Sequence, residues 1–255
     1  MNDYDATFFR YVNASARVAA ESIVPLLQTQ LRAASILDVG CGQGAWLAAW
    51  EQCGGVRDCL GVDGDYVDRG RLLFPADRFF VHDLCGAFDF GRRFDLVQCL
   101  EVAEHLPAAS AATLLDSLSR HGDAILFSAA PPGQGGHGHV NERNYEYWRA
   151  QFAQRDYATL DFLRPRIVHD RRIDPWYRYN PLLYVRQGCV AALSADLRSS
   201  LIPPGTAVSD LAPFPYRLRR QLLRTLPVPV MTVIARLKER VTARVAPPQS
   251  MQETR

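Results

Sequence analysis

Residues 36–46 read ILDVGCGQGAW: three apolar positions and an aspartate in the first four, then Gly40, Gly42 and Gly44 on alternate positions ahead of a helix-like run. A strand ending at Asp38 or Val39 must turn sharply here into a helix starting near Gly44. Glycine supplies the unusual dihedrals of such a turn and lets a ligand rest on the backbone with no side chain between. Three alternate glycines between a strand and a helix exceed what a plain tight turn requires. In an open parallel sheet, the carboxyl end of the first strand is where ligands bind.

Outward from this turn, short apolar runs recur: SILDV, CLGVD, RFFVHD, FDLVQCL and AILFSA, with helical or loop sequence between them. Such runs suit strands buried on both faces of a parallel sheet, so the expectation is a doubly wound α/β domain. ATLDFL and NPLLYVRQGCVAAL add two strands, giving a seven-stranded Rossmann-like sheet, and the aromatic insert DPWYRYNP lies between them. Ahead of the turn, residues 7–31 place Phe8, Val12, Ala16, Ala19, Ile23 and Leu26 at three- and four-residue steps, which reads as an amphipathic helix. The expected division is a domain over residues 1–195 and a Pro-punctuated helical extension over 196–255.

Composition limits what this domain can be. At 255 residues with 48% hydrophobic content, the chain buries one sizeable core plus a short appendage. Six cysteines show no CxxC pair and no zinc spacing, as expected of reduced thiols in a cytoplasmic protein. The sequence shows no basic leader before an apolar core, and no run reaches the roughly 18 apolar residues that span a bilayer. The net charge of +2 is uneven: residues 217–255 hold nine Arg/Lys and two Glu, so they carry +7 and leave −5 on the rest. A −5 body repels phosphates, so no nucleic-acid partner is expected.

The acids that follow the glycine turn bear on its ligand. Asp63 ends the second run, where a carboxylate accepts both hydroxyl hydrogens of an adenosine ribose. That leaves both a nicotinamide dinucleotide and S-adenosylmethionine open, since GCGQGA also satisfies a loose GxGxxA fingerprint. Asp38 lies two residues before Gly40, where it would repel a pyrophosphate but can order the turn beside a cationic sulfonium ligand. Asp83 ends the third run, in position to accept from an adenine amino group.

LDVGCGQG, GVDGD, HDL and FDLVQCLEVAEHL together resemble the successive cofactor motifs of class I S-adenosylmethionine-dependent methyltransferases, over about residues 30–130. The resemblance implies that Gly40, Gly42 and Gly44 approach the methionine part of the cofactor, with Asp38 ordering the loop. It further implies that Asp63 holds the ribose, Asp83 with Leu84 frames the adenine, and Glu101 lies near the methionine amino group. Glu104 and His105 belong to an EHL that is more commonly structural in that family. The loop APPGQGGHGHVNERNYEYW, residues 130–148, is similar to the PGQGG…GHxNE loop of bacterial methyltransferases associated with cell-surface polysaccharide or other glycan biosynthesis. LRPRI…WYRYNPLLYV fits the same group, in which a glutamine is more usual where Tyr179 stands.

Methyl transfer to a hydroxyl requires an acceptor held in line and a group to take its proton. His139 is the first candidate base and His137 the second. Asn141 and Glu142 are candidates to orient the ring or hold a substrate hydroxyl; the alternative is that His139 and Glu142 only stabilise the loop. A metal site built from His137, His139 and Glu142 is the lesser alternative, and no metal is expected. Trp176 and Tyr177 are expected at the rim of the acceptor pocket, with Arg178 placed to meet an anionic group. In the basic tail, Leu218, Leu222 and Leu226 form one apolar stripe, and Val230, Ile234, Leu237, Val241 and Val245 a second. These stripes suit packing on the domain or on another copy, with peripheral contact to the inner face of a membrane through residues 217–245 as the alternative. The enzyme reading is a hydroxyl methyltransferase acting on a sugar or glycan intermediate. Other small-molecule acceptors such as a quinone, or a non-catalytic scaffold with the same fold, are the alternatives.

Overall fold

The computed structural model describes residues 6–225 together with residues 230 and 233. Its strands are β1 Ser35–Val39, β2 Asp58–Asp63, β3 Phe79–Val81, β4 Leu96–Leu100, β5 Ala124–Ser128, β6 Tyr157–Leu160 and β7 Leu182–Arg186. They form one seven-stranded sheet in the order β3-β2-β1-β4-β5-β7-β6, parallel except for β7, which runs antiparallel to β5 and β6. Every apolar run singled out in the sequence holds one of these strands. The helices are α1 Ala6–Leu31, α2 Ala45–Cys53, α3 Ala111–His121, α4 Tyr145–Ala153, α5 Arg164–Ile167, α6 Pro175–Tyr179, α7 Ala195–Ser199 and α8 Phe214–Leu223.

The period-2 alternation of strand side chains divides the core in two. Ile36, Leu96 and Leu126 point to one face, where Ala19, Ile23 and Leu27 of α1 and Leu47 and Trp50 of α2 cover them. Leu37, Val97, Ile125 and Phe127 point to the other, against Leu114, Leu115 and Leu118 of α3 and Trp148 and Phe152 of α4. Both faces are therefore dry, which is why these strands read as unbroken apolar runs. β1 is flanked by β2 on one side and β4 on the other. The chain leaves these strands in opposite directions, so a crevice opens at their carboxyl ends.

Beyond residue 195 the chain returns over the sheet edge. The Ile202 amide donates to the Thr159 carbonyl at 2.9 Å, and Arg149 Nη2 donates to the Pro203 carbonyl at 2.7 Å. α8 then settles on the loop after β5, but with the opposite face from the one its apolar stripe suggests. Arg220 is buried in an ion pair with Asp210, whereas Phe214, Leu218 and Leu222 are 67%, 44% and 65% exposed. Contact is set by the backbone: Gly133 has φ +82°, and a Cβ there would overlap the carbonyl of Arg220. The expectation that Leu218 and Leu222 pack on the domain is thus corrected. Leu226, and the second stripe apart from the exposed Val230, lie outside the described residues.

Candidate active site

A cavity of about 500 Å³ occupies the crevice. Its floor is the glycine turn. Gly40, Gly42 and Gly44 all have positive φ, yet they differ in what surrounds them. A Cβ on Gly40 would strike Val102 and one on Gly44 would strike Phe74, so these two are required by packing; at Gly42 nothing lies within 4 Å, and the backbone faces open space. Gly40 and Gly42 line the cavity, while Gly44 sits behind them at the start of α2.

Acidic groups surround this floor. Asp63, at the end of β2, is 3% exposed and accepts from the amides of Gly42 and Gly64, each at 2.7 Å, and from the Tyr66 hydroxyl. Burial raises its pKa, with those three donors opposing. Asp63, and not Asp38, therefore accepts the turn's amide. Asp38 is equally buried, beside Gln98, and its Oδ2 has no hydrogen-bond partner. Its carboxyl is pushed up to about 7, chiefly by burial and further by the charge of Asp63. Glu101 follows β4 with φ +56°, a left-handed conformation that a non-glycine residue holds only when its surroundings enforce it. Gln134 donates to one of its oxygens at 2.7 Å and Asn180 to the other at 3.0 Å. Burial raises the Glu101 pKa against these bonds. Asp83 and Leu84 line the far wall, with Asp83 accepting from the Cys85 amide at 2.9 Å.

The loop after β5 forms the opposite wall. Glu142 accepts from the amides of Gly133 and Gly135 at 2.7 and 2.8 Å and from His139 Nδ1 at 2.9 Å. Against the penalty of burial, these bonds and the charge of His139 hold the Glu142 carboxyl below its usual pKa. Glu142 thus fixes both the loop and the orientation of His139, and it does not line the cavity. His137 and His139 do line it. Asn141 faces inward instead, donating to the Ala103 carbonyl at 3.2 Å and accepting from Arg143 at 2.9 Å. Trp176 and Tyr177 line the cavity, with the Tyr177 ring packed edge-on to Trp46. Arg178 is turned away over the Tyr179 ring, outside the cavity, so the anion contact expected of it is not made there.

Several lining or supporting residues escaped the sequence reading. Asn180 donates to Glu101 and also to Gln134 Oε1 at 2.8 Å, and it accepts from the Tyr145 hydroxyl at 3.0 Å. Gln134 and Asn180 both stand in quoted motifs, but only the fold reveals that they meet at Glu101. Tyr216, Arg219 and Leu223 of α8 close the cavity from above, and Arg219 donates to the Gln134 carbonyl at 3.4 Å. No pattern in the sequence marks those three as site residues.

The sequence profile of a methyltransferase domain matches residues 9–161, more than half of the chain. The chain belongs to the methyltransferase-domain family. No curated protein matches it. Solved structures of similar fold include the sugar N-methyltransferase KedS8 from Streptoalloteichus sp ATCC 53650, at 18% identity and TM-score 0.52, covering 69% of this chain and 88% of that one. DesVI of Streptomyces venezuelae aligns at 16% identity and TM-score 0.51, covering 69% and 94%. The magnesium protoporphyrin IX methyltransferase ChlM from Synechocystis PCC 6803, solved with bound SAH, aligns at 18% identity and TM-score 0.50, covering 67% and 84%. The mixed seven-stranded sheet of this methyltransferase domain is the class I Rossmann-like fold. None of its described helices is long and apolar enough to cross a membrane.

Proposed function

We propose that this protein binds S-adenosylmethionine and transfers its methyl group to a hydroxyl of a sugar or glycan intermediate. The observation that carries the proposal is the meeting, in one cavity, of an acid-lined glycine turn and His139, which Glu142 holds from behind. Asp38, Asp63 and Glu101 ring the turn with carboxylates, an environment hostile to a pyrophosphate and suited to a cationic ligand. The unpartnered Oδ2 of Asp38 and the open space over Gly42 fit such a ligand in size and sign. Asp63 would hold the ribose hydroxyls, taking the place of the Tyr66 hydroxyl it now binds. Glu101, held by Gln134 and Asn180, would meet the amino group. When bound, the cofactor supplies a methyl group activated by its positive sulfur.

At the acceptor end, Trp176 and Tyr177 offer flat surfaces on which a sugar ring can stack. His139, oriented through Nδ1 by Glu142, directs Nε2 to receive the proton of the acceptor hydroxyl. The sugar N-methyltransferase among the similar folds supports a sugar-type acceptor. The exposed Phe214, Leu218 and Leu222, with Arg217 and Arg224 beside them, favour an acceptor carried on an anionic lipid surface. Parallel calorimetric titrations with S-adenosylmethionine, S-adenosylhomocysteine and NADH test the cofactor. Binding of the two adenosyl ligands and not NADH is expected; no adenosyl binding would leave the scaffold reading. Transfer of a labelled methyl group to sugar nucleotides and lipid-linked glycans then tests the acceptor.

A further inference from the structure

Three side chains at the acceptor end bring a potential metal-ligand atom each to one place. Glu104, His105 and His139 each offer a ligand atom within 4.8 Å of the other two. Glu104 is 0% exposed, and neither of its carboxylate oxygens has a hydrogen-bond partner of ordinary geometry, although its own amide, the Ala130 amide and the Glu101 carboxyl are near. His105 Nδ1 is likewise buried without a partner, and the carbonyls of His137 and Gly138 lie beside the ring. His139 is fixed from behind by Glu142, which lies 2.9 Å from Nδ1; in the neutral tautomer that donates Nδ1–H to Glu142, Nε2 keeps its lone pair. Its ring meets that of His105 edge-on, with centroids 4.8 Å apart.

A buried carboxyl and two imidazole lone pairs repel one another unless something positive sits among them. A proton satisfies one or two of these groups, whereas a divalent ion satisfies all three. Two imidazole nitrogens and a carboxylate oxygen suit zinc or manganese, and suit magnesium or calcium poorly, because those ions prefer oxygen. The carboxylate behind His139 is the outer partner that a metal-bound histidine ordinarily has. An ion about 2.0–2.2 Å from each ligand spans roughly 4 Å between opposite ligands, so small side-chain shifts close the set.

We propose that Glu104, His105 and His139 bind one divalent first-row transition-metal ion. Three protein ligands leave coordination positions open to the cavity, where an acceptor hydroxyl can enter. Binding of the ion does not depend on the methyltransferase reading; its use does. A coordinated hydroxyl is more acidic. Its O–H bond breaks with the proton passing to water, its oxygen forms the new bond to the methyl carbon, and the electrons of the carbon–sulfur bond stay on sulfur. His139 then acts as a ligand in place of a base.

The test uses the full chain, stripped with a chelator, dialysed, and titrated calorimetrically with Zn²⁺, Mn²⁺ and Mg²⁺, while S-adenosylhomocysteine is titrated separately. One ion per chain is expected, with Zn²⁺ or Mn²⁺ at least about 100-fold tighter than Mg²⁺. Glu104→Gln and His139→Ala should each weaken the ion by about tenfold or more. Loading with Co²⁺ should give a visible absorption spectrum that changes in His139→Ala. If circular dichroism shows that Glu104→Gln fails to fold, His139→Ala, in a loop, decides. No ion bound, or an affinity unchanged by the variants that fold, overturns the proposal and returns His139 to the base role. Retained S-adenosylhomocysteine binding keeps the methyltransferase reading whichever way the ion behaves. Its loss from a protein that still binds the ion overturns that reading alone.

Discussion

Asp38→Asn should make the ligand-free protein more stable at pH 8 and at the same time a poorer host for a cationic ligand. The Asp38 carboxyl is 3% exposed with one oxygen unpartnered, and burial pushes it from 3.8 up to about 7. With the folded pKa above the unfolded one, the native state keeps a proton that the unfolded chain releases between about pH 4 and 7. Native stability therefore falls as pH rises through that window. A separation of about three pH units corresponds to at most about 4 kcal/mol, and relaxation of the site reduces the expectation to about 2–3 kcal/mol. For a chain of this size that is about 5–10 °C in Tm. Thermal unfolding at pH 4 should show parent and variant close together, and at pH 8 the variant should melt higher by that amount. Calorimetry with S-adenosylmethionine should show the reverse ranking. A cation beside Asp38 favours its ionised form, so parent affinity should rise about tenfold from pH 6 to 8, while the variant stays weak and flat. A variant no more stable at pH 8, or a parent affinity flat across that range, would refute the reasoning.

Asp63→Ala removes the acceptor of the Gly42 amide as well as the proposed ribose partner, and calorimetry should show cofactor binding weaker by roughly 1–3 kcal/mol. Asn180→Ala strips Glu101 and Gln134 of a shared donor. Cofactor affinity should drop about 3- to 10-fold through the loosened Glu101, by the order of one buried hydrogen bond. His139→Ala should leave S-adenosylhomocysteine binding intact and cut turnover by about 100-fold or more in a labelled-methyl assay. Lost cofactor binding would instead make His139 structural. In sedimentation with vesicles containing anionic lipid, the parent should bind at low salt and release at high salt. Leu218→Glu with Leu222→Glu should abolish that binding, and equal binding of parent and variant would overturn the proposal that α8 meets a lipid surface.

The local pattern of the chain was sufficient for the sheet and for the glycine turn at the floor of the cavity. Strands buried on both faces announce themselves as apolar runs, and a sharp strand-to-helix turn announces itself through Gly40, Gly42 and Gly44, because both signals are contained within a few consecutive residues. Asp63 could be placed for the same reason, as the residue that ends β2. Which carboxylate takes the turn's amide was not decided locally. Asp38 is nearer in sequence, but the parallel register of β1 and β2 brings Asp63 to Gly42.

What only the tertiary structure decided are the meetings between distant segments. Asn180 reaches Glu101 across 79 positions because β7 inserts between β5 and β6. His139 reaches Glu104 and His105 because the loop after β5 folds back beside the end of β4. α8 shows the limit of periodicity most directly. Its apolar stripe was legible, but which face packs was set by a buried Arg220–Asp210 ion pair and by backbone contact at Gly133. A hydrophobic pattern records which residues share a helix face, and the neighbouring chain determines whether that face is covered.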